Sequence, residues 1–260
     1  MTQIERLIFL IRSLLKESPE YHDYKIPKSV PEQHMLLRAL MNVRAPKPMS
    51  DHFLQIQDEY LREELAEKGV TNLDDLAPTK DNLYVWQGDI TTLRCDAIVN
   101  AANSQMTGCY IPNHTCIDNC IHSYAGIQLR YKCFQIMQNQ EHEEPTGQAK
   151  ITPAYNLPCH YVLHTVGPIV GGHLTKRDCD LLANCYTSCM QLATEYNLES
   201  IAFCCISTGV FHFPNEKAAE IAIDTVRNFM NNNDTTIQKV VLNVFKENDK
   251  EIYERLLGSN

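Results

Sequence analysis

Apolar positions recur at intervals of three and four near the start of the chain: Ile4, Leu7, Ile8, Ile11, Leu14 and Leu15 fall on one helical stripe. Similar spacing runs through residues 35–41 and 53–65, so three helices are expected before residue 80. Pro27, Pro31, Pro46 and Pro48 punctuate them, and residues 72–78 read as a short helical turn. From Leu83 the pattern changes. Short apolar runs at residues 83–86, 97–100, 161–165, 201–206 and 239–245 read as strands, and residues 116–138, 176–196 and 215–231 as helices between them. That alternation predicts a three-layer α/β domain with a mixed, largely parallel sheet over residues 81–260, preceded by a helical extension over residues 1–80. Ligands of such sheets lie beyond the carboxyl ends of the strands, which places the loops at residues 100–115 and 207–214 around one cleft.

The 260 residues are 44% hydrophobic, enough for a substantial core. A formal net charge of -9 without a Lys/Arg-rich run argues against nucleic acid as a partner, because such binding depends on neutralising phosphates. An anionic ligand must be held by local groups. The apolar stretches fall short of the roughly 18–20 residues that span a bilayer, so no membrane partner is expected. Eleven cysteines, an odd number, and an opening Met1-Thr2-Gln3-Ile4-Glu5-Arg6 without secretory character point to a reducing, cytoplasmic setting. Oligomeric state leaves no trace in the sequence.

The cysteines are concentrated once. Cys109-Tyr110-Ile111-Pro112-Asn113-His114-Thr115-Cys116 is a C-x4-H-x-C pattern, with Cys109, His114 and Cys116 as candidate ligands for one zinc ion per chain. Three protein ligands leave a fourth tetrahedral position for water or a substrate oxygen. Cys120 and His122 are nearby alternatives, but on a helix starting near Cys116 they point to other faces. Cys95, Cys133, Cys159, Cys179, Cys185, Cys189, Cys204 and Cys205 read mostly as small core residues. His160, His164, His173 and His212 are scattered and receive no catalytic role.

Gly88-Asp89-Ile90-Thr91, then Asp96-Ala97-Ile98-Val99-Asn100-Ala101-Ala102-Asn103, resembles the opening of macrodomains. Pro145-Thr146-Gly147-Gln148-Ala149, His164-Thr165-Val166-Gly167-Pro168 and Ile206-Ser207-Thr208-Gly209-Val210-Phe211 resemble further stretches of the MacroD-type ADP-ribosylhydrolases, in order over residues 83–257. The glycine-rich catalytic loop of that type is replaced by the Cys109 to Cys116 insert, while Ile117-Asp118-Asn119-Cys120-Ile121-His122 still matches the family's next segment. The chain therefore resembles the zinc-dependent macrodomain branch, a largely microbial group with a helical N-terminal extension. Several of its members are associated with a sirtuin-like ADP-ribosyltransferase and a lipoyl-carrier protein.

The resemblance implies an α/β/α macrodomain and a zinc-dependent hydrolase that binds ADP-ribose and removes mono-ADP-ribose from modified protein side chains. An ester-linked carboxylate acceptor is chemically accessible. The alternatives are a non-catalytic ADP-ribose reader whose zinc only stiffens the loop, and an O-acetyl-ADP-ribose deacetylase. Asp89 and the Ile90 amide would bind adenine, although Asp89 could equally cap its turn. Phe245 would stack on adenine or pack into the core. Ser207, Thr208, Gly209, Val210 and Phe211 would cradle the diphosphate with backbone amides near the helix opening at Pro214. Asn103 would hold the distal ribose, and Asn100 would tie the loop to its own backbone. Asp118 is the candidate general base, with plain stabilisation of a helix N-terminus, worth ~0.3–1 kcal/mol, as the alternative. Zinc would either lower the pKa of a bound oxygen toward ~7 or orient the distal ribose.

Overall fold

The computed structural model describes residues 1–21 and 23–258. The chain opens on three helices, α1 (Gln3–Lys16), α2 (Val30–Val43) and α3 (Asp51–Lys68), where the apolar spacing places them. Each begins for a local reason. Thr2 and Glu5 form a capping box on α1, Pro31 stands in the first turn of α2, and Ser50 accepts from the Phe53 amide at the start of α3. Leu7, Leu10 and Ile11 of α1 pack with Leu37 and Leu40 of α2 and Phe53 and Ile56 of α3 in a core of their own.

The remaining elements are β1 (Thr71–Asn72), β2 (Leu83–Gln87), β3 (Leu93–Arg94), β4 (Ala97–Ala102), α4 (Ile117–Ala125), α5 (Ile127–Gln140), β5 (Ala149–Pro153) and β6 (Tyr161–Val166). After these come α6 (Lys176–Glu195), β7 (Ser200–Phe203), α7 (Asn215–Asn232), β8 (Lys239–Val244) and α8 (Glu247–Leu257). Six strands form one sheet in the order β2-β8-β7-β4-β6-β5, parallel except for the antiparallel edge strand β5. β1 and β3 form a separate short parallel pair. The helices α6, α7 and α8 pack on one another, as do α4 and α5, with α4 lying against β4. Strands β7 and β8 are almost entirely buried, which is why they read as continuous apolar runs. Among the described residues no helix is long and apolar enough to cross a membrane.

Several expectations are corrected. The single helix expected over residues 116–138 is two, broken at Gly126, whose φ of +102° favours glycine and where a Cβ would lie 2.6 Å from Gln57 Nε2. The break lets Gln57 of α3 accept from the Ile127 amide at 3.0 Å, docking the extension on the start of α5. The strand expected over residues 201–206 ends at Phe203, where the chain leaves the sheet toward the 207–213 loop. β8 ends at Val244, one residue before Phe245, and the polar residues after it start α8 instead of a loop. β5 escaped notice because an edge strand carrying Lys150 and Pro153 has little apolar alternation.

Candidate active site

Strand β4 and the first turn of α4 bring the site together. Between them the chain reverses at Gly108, where φ is +83° and a Cβ would stand 2.7 Å from the His122 ring carbon Cγ. The loop beyond Gly108 carries Cys109 and His114 and ends at Cys116, the N-cap of α4. Cys109 Sγ and His114 Nδ1 are 3.7 Å apart, and the ligand atoms of Cys109, His114 and Cys116 all lie within 4.8 Å of one another. Tetrahedral zinc with Zn–S of about 2.3 Å and Zn–N of about 2.0–2.1 Å needs an S···N separation of about 3.5 Å. Two sulfurs and one imidazole, half-buried and convergent, therefore fit zinc in chemistry and in spacing. Burial, with Cys109 and Asp118 close by, pushes the Cys116 thiol up to about 12 against the hydrogen bond from the Asn119 amide. A cation at this point would supply the charge that thiolate ligands need. Cys120 is not in the trio, since its sulfur receives a hydrogen bond from Arg38 Nη2 at 3.5 Å.

Asp118 stands in the first turn of α4, nearly sealed from solvent. Its Oδ1 accepts from Asn100 Nδ2 at 2.8 Å and its Oδ2 from Asn103 Nδ2 at 3.3 Å. Burial pushes its carboxyl up to about 6, against the pull of Asn100, Arg130 and Asn103. Asn100 thus orients the carboxylate, and the expected tie to its own backbone is not what the structure shows. Asn103 spends its amide on Asp118 and on the Gly108 carbonyl at 3.2 Å, and its Oδ1 on the Gln105 amide at 3.0 Å. Behind Asn100 lies His164, its partner in the β4–β6 register. Because Asn100 Nδ2 is a donor, His164 Nδ1, 3.1 Å away, must accept, so the proton sits on Nε2 and is donated to Thr152 Oγ1 at 2.9 Å. Burial drives His164 down to about 3, which keeps the ring neutral, so Asn100 Nδ2 donates to His164 on one side and to Asp118 on the other.

At the far end, Asp89 caps a helical turn. Its Oδ1 accepts from the Thr91 amide at 2.9 Å and from Thr91 Oγ1 at 2.6 Å, while Lys68 of α3 pairs with Oδ2. Burial alone would raise its carboxyl, but Lys68 and Thr91 outweigh it and hold the group below the usual range. The Ile90 amide has no acceptor among the described residues. Ser207 has φ +65°, and the Phe213 amide closes the loop on the Ser207 carbonyl at 3.0 Å. Inside that loop, no acceptor among the described residues takes the amides of Thr208, Gly209, Val210 or Phe211. Phe245 is 78% exposed, so it is not a core residue.

The Macro domain family matches residues 99–222. A protein-ADP-ribose hydrolase of Treponema medium is 60% identical over 99% of this chain and 100% of its own length. The chain belongs to the macrodomain family. The Trypanosoma brucei macrodomain in complex with ADP-ribose superposes with a TM-score of 0.66 at 29% identity, covering 85% of this chain and 95% of its own. A Fusarium oxysporum f. sp. cubense protein named "Probable bifunctional ADP-ribose hydrolase/ADP-ribosyltransferase" is 40% identical over 86% of this chain, which spans 40% of that protein. Sequence reasoning gave Asn100 another task and His164 none, although both stand behind Asp118, and it passed over Arg38, Asn42 and Arg130 around the cysteine loop. Arg130 left one trace, a charge on a helix face shared with Ile127, Leu129 and Cys133.

Proposed function

We propose that this macrodomain is a zinc-dependent protein-ADP-ribose hydrolase that removes mono-ADP-ribose from modified protein side chains. The observation that carries the reading is the meeting of the Cys109, His114 and Cys116 ligand atoms on a loop that ends one turn of helix from the oriented carboxylate of Asp118. The relatives named protein-ADP-ribose hydrolase support the activity, and ADP-ribose bound by the trypanosomal macrodomain supports the ligand. Zinc held by the trio would polarise an oxygen of the distal ribose or of water and fix its direction. Asp118, pointed by Asn100 and Asn103, takes a proton from the attacking water as its oxygen bonds to the scissile carbon and the acceptor leaves as its carboxylate. The open amides of Thr208 to Phe211 cradle the diphosphate, Asp89 and the Ile90 amide take adenine, and exposed Phe245 is free to stack on it.

The resemblance further implies a lipoyl-carrier protein, modified by a sirtuin-like transferase, as the natural substrate. The fungal relative whose name joins hydrolase and transferase supports the coupling of this activity to an ADP-ribosyltransferase. Incubation with mono-ADP-ribosylated carrier protein should release free ADP-ribose, detected by mass spectrometry, and a chelator should abolish the release. Release that survives complete zinc removal would sink the metal reading, and tight ADP-ribose binding without release would leave a reader. Faster turnover of O-acetyl-ADP-ribose than of modified protein would point to the deacetylase. Asp89→Ala is expected to weaken ADP-ribose binding roughly 10- to 100-fold, the worth of a charged hydrogen bond, with a smaller change in turnover of saturated enzyme. Calorimetry beside kinetics checks the split.

A further inference from the structure

The Cys109 to Cys116 loop contains no helix or strand, only one turn closed by the His114 amide on the Ile111 carbonyl at 3.2 Å, and its backbone is gripped at four points by side chains. Arg38 Nη2 of α2 donates to the His114 carbonyl at 2.7 Å, and Asn42 Oδ1 of α2 accepts from the Asn113 amide at 2.9 Å. Arg130 Nη2 donates to the Cys109 carbonyl at 3.2 Å, and Asn119 Nδ2 donates to the Ile111 carbonyl at 2.9 Å. Arg130 and Asn119 are themselves tied to the extension. Arg130 Nη1 donates to the carbonyls of Met41, Asn42 and Arg44 at the carboxyl end of α2, where helix carbonyls lack partners and favour a cation. Asn119 Oδ1 accepts from the same Arg38 Nη2 at 2.9 Å, and Asn42 Nδ2 donates to Ser123 Oγ of α4 at 2.8 Å.

This platform is itself anchored. Arg44, at the end of α2, makes a two-pronged pair with Glu17 at the end of α1, at 2.7 and 2.9 Å. Asn42 and Arg130 are 1% and 4% exposed, so their polar groups have no water to fall back on if the loop lets go. The Arg130 guanidinium also lies 4.2 Å from the centre of the Tyr110 ring, pinning the one aromatic of the loop.

We infer that the helical extension is part of the metal centre: Arg38 and Asn42, with Arg130 as the link, are positioning residues that hold the Cys109–Cys116 loop in its ligand geometry before zinc arrives. This rests on the zinc reading above. Without the clamp the loop must be ordered by the metal itself, and that ordering cost is taken from zinc affinity.

The test uses full-length wild type, Arg38→Met, Arg38→Lys and Asn42→Ala. Each is titrated with zinc against a chromophoric chelator, and each zinc-free form is melted separately. Arg38→Met and Asn42→Ala are expected to weaken zinc at least about tenfold, as loss of a group that orients metal ligands does, with zinc-free Tm close to wild type for half-buried Arg38→Met and lowered by a few degrees for buried Asn42→Ala. Arg38→Lys keeps a charged donor but not the guanidinium fork, so its zinc affinity should fall between those of wild type and Arg38→Met. Affinities of Arg38→Met and Asn42→Ala within about twofold of a tight wild type would overturn the inference and leave the zinc reading standing. So would a fall in zinc-free stability large enough to account for the whole loss. A wild type that takes up no zinc overturns both. The two positions make different hydrogen bonds, so if one variant fails to fold the other decides.

Discussion

Cys116→Ser is expected to yield a folded protein that holds no zinc and releases ADP-ribose no faster than chelated wild type. The substitution separates two jobs of one residue. As N-cap of α4, the Cys116 sulfur accepts from the Asn119 amide at 3.4 Å, and serine is among the best residues for that task. Helix α4, and with it the placement of Asp118, should survive. As a metal ligand, however, serine replaces a soft thiolate by a hydroxyl that zinc binds poorly, leaving only Cys109 and His114. The contrast is read thermodynamically as well as kinetically. Wild type in zinc at about 100 times Kd gains about 2.7 kcal/mol of stability, a rise in Tm of roughly 5–10 °C, whereas the variant should melt alike with and without zinc. A variant that keeps stoichiometric zinc, or that loses zinc and keeps its turnover, would remove Cys116 from the mechanism.

Asp118→Ala is expected to lower turnover by roughly 10²- to 10⁴-fold, the range of a lost general base, with little change in ADP-ribose affinity. The buried setting makes the choice of variant matter. A carboxyl raised to about 6 by burial is held charged at neutral pH at a cost to the fold, so its removal relieves a strain. The donors it abandons are not stranded: Asn100 Nδ2 keeps His164 Nδ1 at 3.1 Å, and Asn103 Nδ2 keeps the Gly108 carbonyl at 3.2 Å. The change should therefore cost less than the ~1–3 kcal/mol of an unpaired buried donor. Comparable losses in binding and in turnover would mean that Asp118 holds the ligand instead of acting on it. Pre-steady-state kinetics at saturating modified protein, beside calorimetry with ADP-ribose, gives both numbers.

Local regularities were legible in the sequence. The stripe from Leu7 to Leu15 and the apolar run from Val240 to Val244 announce a helix and a buried strand because periodicity reports which face meets the core. The Cys109, His114 and Cys116 trio was legible as a pattern because all three candidate ligands lie within one short stretch of chain. The edge strand β5 and helix α8 were not, because both expose enough polar surface to read as loops. What only the tertiary structure decided is which polar groups face each other across long separations in the chain. Asn100 and His164 are 64 residues apart yet paired across parallel strands, and Arg38 and His114 are 76 apart yet joined by a hydrogen bond. Neither residue type has a periodicity that betrays its partner, because a buried hydrogen bond is fixed by the packing of whole elements. The sequence therefore determined the elements and the Cys109–Cys116 pattern, while tertiary packing decided what orients the Asp118 carboxylate and what braces the loop.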